Sequence, residues 1–317
     1  MKKIYIDQLK AGDSVDDIFV LAEKTMARKR NGDNYLTLTL ADRTGQMKGV
    51  VWDRVEKIAD SVQSGDFVRL AGGVAEYRGM LQLVVQELEP FDAQAVNPAD
   101  FLPATRRDVE QMFARLCELT AAMTDADLKG LFALLWSDGE LVEKFKKAPA
   151  AKMMHHAYIG GLLEHTLSMT LLADMVAGHY EGVNRDLLIA GTILHDIGKI
   201  REFEYNNRID YTDEGRLVSH IVIAVEMLQQ KLNQLESFPQ EKADLLKHMI
   251  ISHHGERQFG SPEPPKTIEA VLLHFIDEID SKVNGIRQFM AGEDPGETWT
   301  SYHRLLERHF YRGKPSQ

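Results

Sequence analysis

The sequence predicts a chain of two unlike parts, a small β-barrel followed by an all-helical bundle, and three observations carry that expectation. From Ile18 to Pro90 apolar residues recur with period two, interrupted by turn residues. Beyond Thr105 they recur at three- and four-residue spacing. No histidine precedes His155, and ten of the twelve fall between His155 and His274, so ligand-type side chains concentrate in the helical part. A length of 317 residues also exceeds what one hydrophobic core usually serves.

The strands follow in order. Phe19–Lys24 leads into a basic run, Arg28-Lys29-Arg30, and a turn at Asn31-Gly32-Asp33. Tyr35-Leu36-Thr37-Leu38-Thr39-Leu40 alternates as a half-buried strand does. Met47–Trp52 is the third strand, a short helix lies near Val55–Val62, and Phe67–Tyr77 and Met80–Leu88 hinge at Arg78-Gly79. Five strands with a helix between the third and fourth is the order of an OB-fold. Such barrels bind single strands through basic groups and exposed rings, and the candidates are Lys24, Arg28, Lys29, Arg30, Tyr35, Lys48, Trp52, Tyr77 and Arg78. The plainer alternative makes Tyr35 and Trp52 barrel core and the lysines solvated.

Residues 93–105 contain Pro98 and Pro103, lack periodicity and read as a linker. Helical spacing marks Arg107–Met123 and Asp125–Lys147, as bridging helices over 106–150 or the start of the following domain. Over 151–317 the helices expected are His155–Tyr180, Asn184–Ile197, Thr212–Leu235, Gln240–His254, Thr267–Met290 and a last one near Thr298–Phe310. Asn184 and Thr212 stand at N-cap positions. Phe203–Tyr211 reads as a small hairpin.

Composition narrows the function. A net charge of −11 argues against broad nonspecific nucleic-acid binding, but residues 1–92 carry only −2 of it. A single cysteine, Cys117, allows no internal disulfide and fits a reducing compartment. No apolar run approaches the roughly 20 residues that span a bilayer, and Met1-Lys2-Lys3-Ile4 does not begin a signal peptide. A cytoplasmic protein without a membrane partner is expected, and its oligomeric state cannot be derived.

The chemistry gathers around Thr192–Lys199, where an apolar helix delivers His195 and Asp196 side by side before Gly198-Lys199. His165, His220, His253, His254 and Asp277 sit on other helices with apolar neighbours. Taken singly, each histidine reads more readily as a hydrogen-bonded core or surface residue than as a ligand. Burying all of them together without a cation would cost several kcal/mol per charged group, whereas a divalent metal pairs with such mixed N and O donors. By ligand type alone Mn, Fe, Co or Zn would serve.

His165, His195-Asp196 and Asp277 resemble the HD superfamily of metal-dependent phosphohydrolases, and His220, His253 and His254 resemble its two-metal branch. With a barrel in front, nearly the whole chain resembles the YhaM family of bacterial 3′→5′ exoribonucleases. Tyr35-Leu36-Thr37-Leu38, Val51-Trp52-Asp53, Tyr77-Arg78-Gly79, Ser252-His253-His254-Gly255 and Gly260-Ser261-Pro262-Glu263-Pro264-Pro265 carry that likeness. Ser219 departs from it, standing where the family is expected to have glycine.

The resemblance implies an OB-fold domain (1–92) and an HD domain (151–317). It implies one ion on His165, His195, Asp196 and Asp277 and another on Asp196, His220, His253 and His254, with manganese favoured. Asp196 would bridge, because a carboxylate has two oxygens and an imidazole serves one ion. A metal-activated hydroxide would cleave single-stranded RNA, with DNA a further substrate. Lys199 would reach a phosphate oxygen or else serve as a helix C-terminal cation. Glu164, His274, Asp280, His155 and His156 are second-tier residues, Asp280 being the rival of Asp277 as ligand. The alternatives are an HD enzyme acting on a free nucleotide or cyclic dinucleotide, and a non-catalytic nucleic-acid-binding protein with a vestigial metal site.

Overall fold

The structure, a computed structural model, describes residues 2–29, 32–77, 79–152, 156–205, 208–291, 293 and 296–313. The chain divides into two compact units, Met1–Ala104 with Glu204–Asp210, and Thr105–Phe203 with Tyr211–Gln317.

In the first unit the period-two segments become β1 (Ser14–Arg28), β2 (Asn34–Asp42), β3 (Gly45–Val51), β4 (Phe67–Tyr77) and β5 (Met80–Pro90). They close into a barrel of order β1-β2-β3-β5-β4, with β3 and β5 parallel and the other pairs antiparallel. Leu36, Leu38 and Leu40 of β2 point inward and are buried, as their alternation requires. The helix between the third and fourth strands is α1 (Val55–Ser61), which buries Val55 and Ile58 against the barrel core. Closure needs one glycine in particular. A Cβ on Gly72 would lie 2.3 Å from the carbonyl oxygen of Val84, where β4 and β5 shift register. Residues 93–104 belong to this unit, and Phe101 packs edge-on against Phe67 at 4.8 Å.

The second unit begins with α2 (Val109–Ala121), α3 (Ala126–Trp136) and α4 (Gly139–Lys147). The periodic run 125–147 breaks in two because Asp138 caps α4 by accepting from Leu141 N–H. Then come α5 (Gly161–His179), α6 (Arg185–Leu194), the short α7 (Lys199–Glu202), α8 (Asp213–Leu232), α9 (Gln240–Ser252) and α10 (Ile268–Ala291); between α7 and α8, β6 (Phe203–Tyr205) and β7 (Ile209–Tyr211) form a two-stranded sheet whose residues 204–210 fall in the first unit. Asn184 and Thr212 cap α6 and α8 through Leu187 N–H and Gly215 N–H. Every residue of α6 from Asp186 to Leu194 is buried, so this helix is the axis of the unit. Among the described residues no helix is long and apolar enough to cross a membrane.

Two expectations are corrected. The helix proposed at His155–Tyr180 starts at Gly161, because Gly160 turns the chain at a φ of +78°. The helix near Thr298–Phe310 is absent. That segment doubles back instead, with bridges Trp299↔Tyr311 and His303↔Arg308. Thr300 and His303 are buried while Trp299 and Tyr311 are exposed. Rings and a β-branched residue there favour the extended chain over a helix.

Candidate metal centre

The centre is assembled by α6. Its buried length carries His195 and Asp196 into the interior, where His195 Nδ1 donates to the Thr192 carbonyl at 2.7 Å. Gly198 then lets α8 approach, since a Cβ there would lie 2.1 Å from the His220 carbonyl oxygen. Only a glycine permits that backbone contact, and through it His220 comes to face Asp196.

Asp196 is the hub, and its two oxygens face different partners. Oδ2 lies 3.2 Å from His195 Nε2 and 3.7 Å from His165 Nε2. Oδ1 lies 3.5 Å from His220 Nε2 and 3.7 Å from His253 Nε2. Asp277 Oδ1 sits 3.4 Å from His165 Nε2. Among the described residues three sets of donor atoms lie close enough together to share an ion: His165 with His195 and Asp277, His220 with His253 and His254, and His156 with His165 and Asp280. Ligands about 2.0–2.2 Å from one ion stand about 3–3.5 Å apart, so these separations suit a coordination shell.

The outer nitrogens support this. His253 Nδ1 donates to the Ile250 carbonyl at 2.6 Å and His220 Nδ1 bonds Glu202 Oε1 at 2.9 Å. His165 Nδ1 bonds Asp280 Oδ2 at 2.8 Å. With Nδ1 so engaged, each ring turns Nε2 toward the centre, as metal-ligating imidazoles do. Among the described residues, buried Nε2 of His195, His220 and His253 and Oδ1 of Asp196 have no hydrogen-bond partner. Orphaned buried polar atoms are costly, and a divalent cation satisfies this donor set. The residues therefore fit a metal.

Charge divides the centre. Burial opposes ionisation of Asp196, but Lys199 and then His195 outweigh it and hold the carboxyl well below its usual range. Burial would lower the pKa of His165, yet the hydrogen bonds that Asp277 and Asp280 accept from its ring raise it to about 9. Burial, with His254 and His195 beside it, holds His253 well below the usual imidazole value. The centre thus has a carboxylate-rich side and an imidazole side, joined by Asp196.

The remaining candidates fall around this frame. Asp277, rather than Asp280, faces Nε2 of His165. Asp280 takes His165 Nδ1 and His156 Nε2 on one oxygen, with the Ser168 hydroxyl on the other. His156 Nδ1 bonds the Tyr158 hydroxyl at 2.8 Å, so its ring braces Asp280. Glu164 accepts from Thr105 Oγ1, and His274 Nδ1 donates to the His253 carbonyl at 2.9 Å. The Lys199 ammonium lies 2.6 Å from Asp196 Oδ2. His155 lies outside the described residues. Glu202 and Ser168 were not singled out from the sequence. No periodicity marks them, and their partners, His220 and Asp280, are brought to them from distant helices.

On the barrel, Tyr35 and Trp52 stack at 5.1 Å with 24° between planes, Trp52 is 43% exposed, and Lys29 Nζ lies 5.3 Å from the Trp52 ring centre. That disposes of the alternative in which Trp52 is core. Arg28 and Tyr77 are exposed, and Lys48 donates to Thr39 Oγ1 at 2.7 Å. Lys24 is engaged within its own unit. Its ammonium donates to the carbonyls of Ala59 and Val62, where it caps the C-terminus of α1. Arg30 and Arg78 lie outside the described residues.

Comparison with known proteins agrees with both halves. A family model described as HD domain matches residues 162–282, and one described as OB-fold nucleic acid binding domain matches residues 21–91. The chain is 34% identical to the 3'-5' exoribonuclease YhaM of Geobacillus sp. (strain WCH70) over 95% of this chain and 92% of that protein. It is 33% identical to the protein of the same name from Bacillus subtilis (strain 168), over 95% of each chain. Among solved structures, the second OB-fold domain of replication protein A from Methanococcus maripaludis is 20% identical, over 28% of this chain and 94% of that one, with a TM-score of 0.24.

Proposed function

The chain belongs to the YhaM family of 3′-5′ exoribonucleases, and from that premise we propose that it removes nucleotides from the 3′ end of single-stranded RNA by metal-dependent hydrolysis. One ion would be held by His165, His195, Asp196 and Asp277 and a second by Asp196, His220, His253 and His254, with manganese as the native metal. The observation that carries this reading is the split of Asp196, one oxygen toward each set of imidazoles. Divalent ions bound there supply Lewis acidity toward the phosphate and lower the pKa of water at the site. The chain itself holds the imidazoles in their ligating orientation through Thr192, Ile250, Glu202 and Asp280. Lys199, at Asp196, has the charge and the reach to meet a nonbridging phosphate oxygen. The stacked Tyr35 and Trp52 with Lys29 would grip bases and backbone of the strand. An acidic protein could then handle a polyanion, acting in the cytoplasm, because cations are needed only along the strand's path.

The test is a comparison of 5′- and 3′-labelled single-stranded RNA, single-stranded DNA and a cyclic dinucleotide, incubated with the full chain and Mn²⁺. RNA shortened stepwise from its 3′ end, and left intact by Asp196→Ala, is the expected result. Intact RNA with the metal-loaded wild type overturns the proposal.

A further inference from the structure

The motif running from Gly255 to Pro265 is not used by the metal ligands, yet it is built against them. Gly255 has a φ of +81°, and a Cβ there would lie 2.3 Å from Cε1 of His274, so the backbone rests on that imidazole. The His274 ring is held in turn by its bond to the His253 carbonyl. The loop is tied at its far side as well. Ser261 N–H donates to the Glu256 carbonyl at 3.3 Å, and Lys266 N–H donates to His248 Nε2 at 2.9 Å.

Between this loop and α10 lies a cavity of about 580 Å³, bordered by Gly255, Pro264, Pro265, Val271, His274 and Phe275. A second cavity, of about 320 Å³, is lined by His253, His254, His274 and Asp277. His274 borders both, so the first cavity adjoins the metal centre. The first lies within the size range of small-ligand sites. Its lining includes Phe275, 58% exposed although it stands next to the buried Ile276. An exposed ring in a cavity that shares His274 with the metal centre offers what a nucleobase needs, a flat apolar face on which to stack.

We propose that this cavity is a nucleobase subsite in which the base next to the scissile phosphate stacks on Phe275, with Pro264, Pro265 and Val271 as further apolar walls. The proposal rests on reading the metal centre as a phosphodiesterase. Stacking is tolerant of base identity, which suits an enzyme that must accept every nucleotide in turn. Phe275 is a positioning residue here, distinct from the ligands on the same helix.

Calorimetric titration of the metal-loaded full chain with adenosine 5′-monophosphate and with ribose 5-phosphate tests it. The nucleotide is expected to bind the wild type about 10- to 100-fold more tightly than the sugar phosphate. Phe275→Ala should lose most of that difference while binding ribose 5-phosphate unchanged, and Phe275→Trp should keep it. Because the side chain is exposed, the variants should melt with the wild type. Equal affinity of the wild type for both ligands overturns the proposal, as does a Phe275→Ala variant that binds the nucleotide normally. So does a Phe275→Ala effect seen only as a change of mass in gel filtration, which would make the patch a contact between copies. Failure of the exonuclease reading shows separately, as RNA left intact by the wild type, and does not alter the contrast between the two ligands.

Discussion

Glu202 Oε1 receives two hydrogen bonds from His220, one from the backbone N–H and one from Nδ1, each at 2.9 Å. A single carboxylate oxygen thereby sets both the position of the chain at the start of the second half of α8 and the rotation of the ring. Replacement by alanine leaves a buried N–H without its acceptor and the ring free to turn. Glu202→Ala is expected to weaken metal binding at the imidazole side by about 10- to 100-fold. Calorimetric titration with Mn²⁺ should then find fewer tightly held ions per chain. An unchanged stoichiometry and affinity would remove Glu202 from the support of this site.

Ser219 adopts φ 69° and ψ 155°, a conformation inside α8 that only glycine adopts without strain. The kink is what frees the His220 N–H for Glu202. Strain of this kind costs on the order of 1–3 kcal/mol, offset in part by the chain entropy of glycine. Ser219→Gly should therefore stabilise the helical unit by about 1 kcal/mol, read as a rise in thermal midpoint, with metal binding retained. A fall in midpoint would mean that the serine contributes more than it strains.

Asp186 is buried and accepts from Thr124 N–H, Thr124 Oγ1 and Asp125 N–H. Burial would raise its pKa, but the bonds from Asp125 and Thr124 outweigh this and lower it below the usual carboxylate value. A carboxyl depressed on folding contributes stability that is complete above its unfolded value and is lost as pH falls through its folded one. Asp186→Asn is expected to destabilise by about 1–3 kcal/mol at neutral pH. The difference from wild type should shrink below about pH 4. Melting curves at neutral and acid pH would check both; a difference independent of pH would contradict the assignment.

The barrel offers a contrast between two of its candidates. Trp52→Ala should weaken single-stranded RNA binding by about 5- to 100-fold, because an exposed ring stacks a base. Lys24→Ala should instead lower the melting temperature of the barrel, since its ammonium serves the end of α1, and leave the slope of RNA affinity against salt unchanged. Fluorescence anisotropy across a salt series separates the two. A reduced slope for Lys24→Ala would return that lysine to the strand-binding face.

The two-part architecture was legible because each part writes its own period. Leu36, Leu38 and Leu40 had to share one face of a strand, and the turn residues between the strands left few ways to join them. The run through α6 was equally legible, since only a helix buried all round tolerates Leu187–Leu194. Thr298–Phe310 was not legible. Its spacing of apolar and polar residues admits either period over so short a span, and the contacts of Phe289 with His303 and Phe310 decide for the doubled-back chain.

The sequence by itself determined that five histidines and two aspartates lie on apolar helices or directly at their C-terminal ends, because helical periodicity marks each segment separately. Which atoms meet is a long-range matter. That Asp277 and not Asp280 faces His165 Nε2, that Glu202 holds His220, and that Lys24 caps a helix all depend on helices and strands far apart in the chain. Only packing settles such meetings, as where Gly198 lies against the His220 carbonyl and Gly255 against the His274 ring, because an approach too close to admit a Cβ has no signature in local spacing.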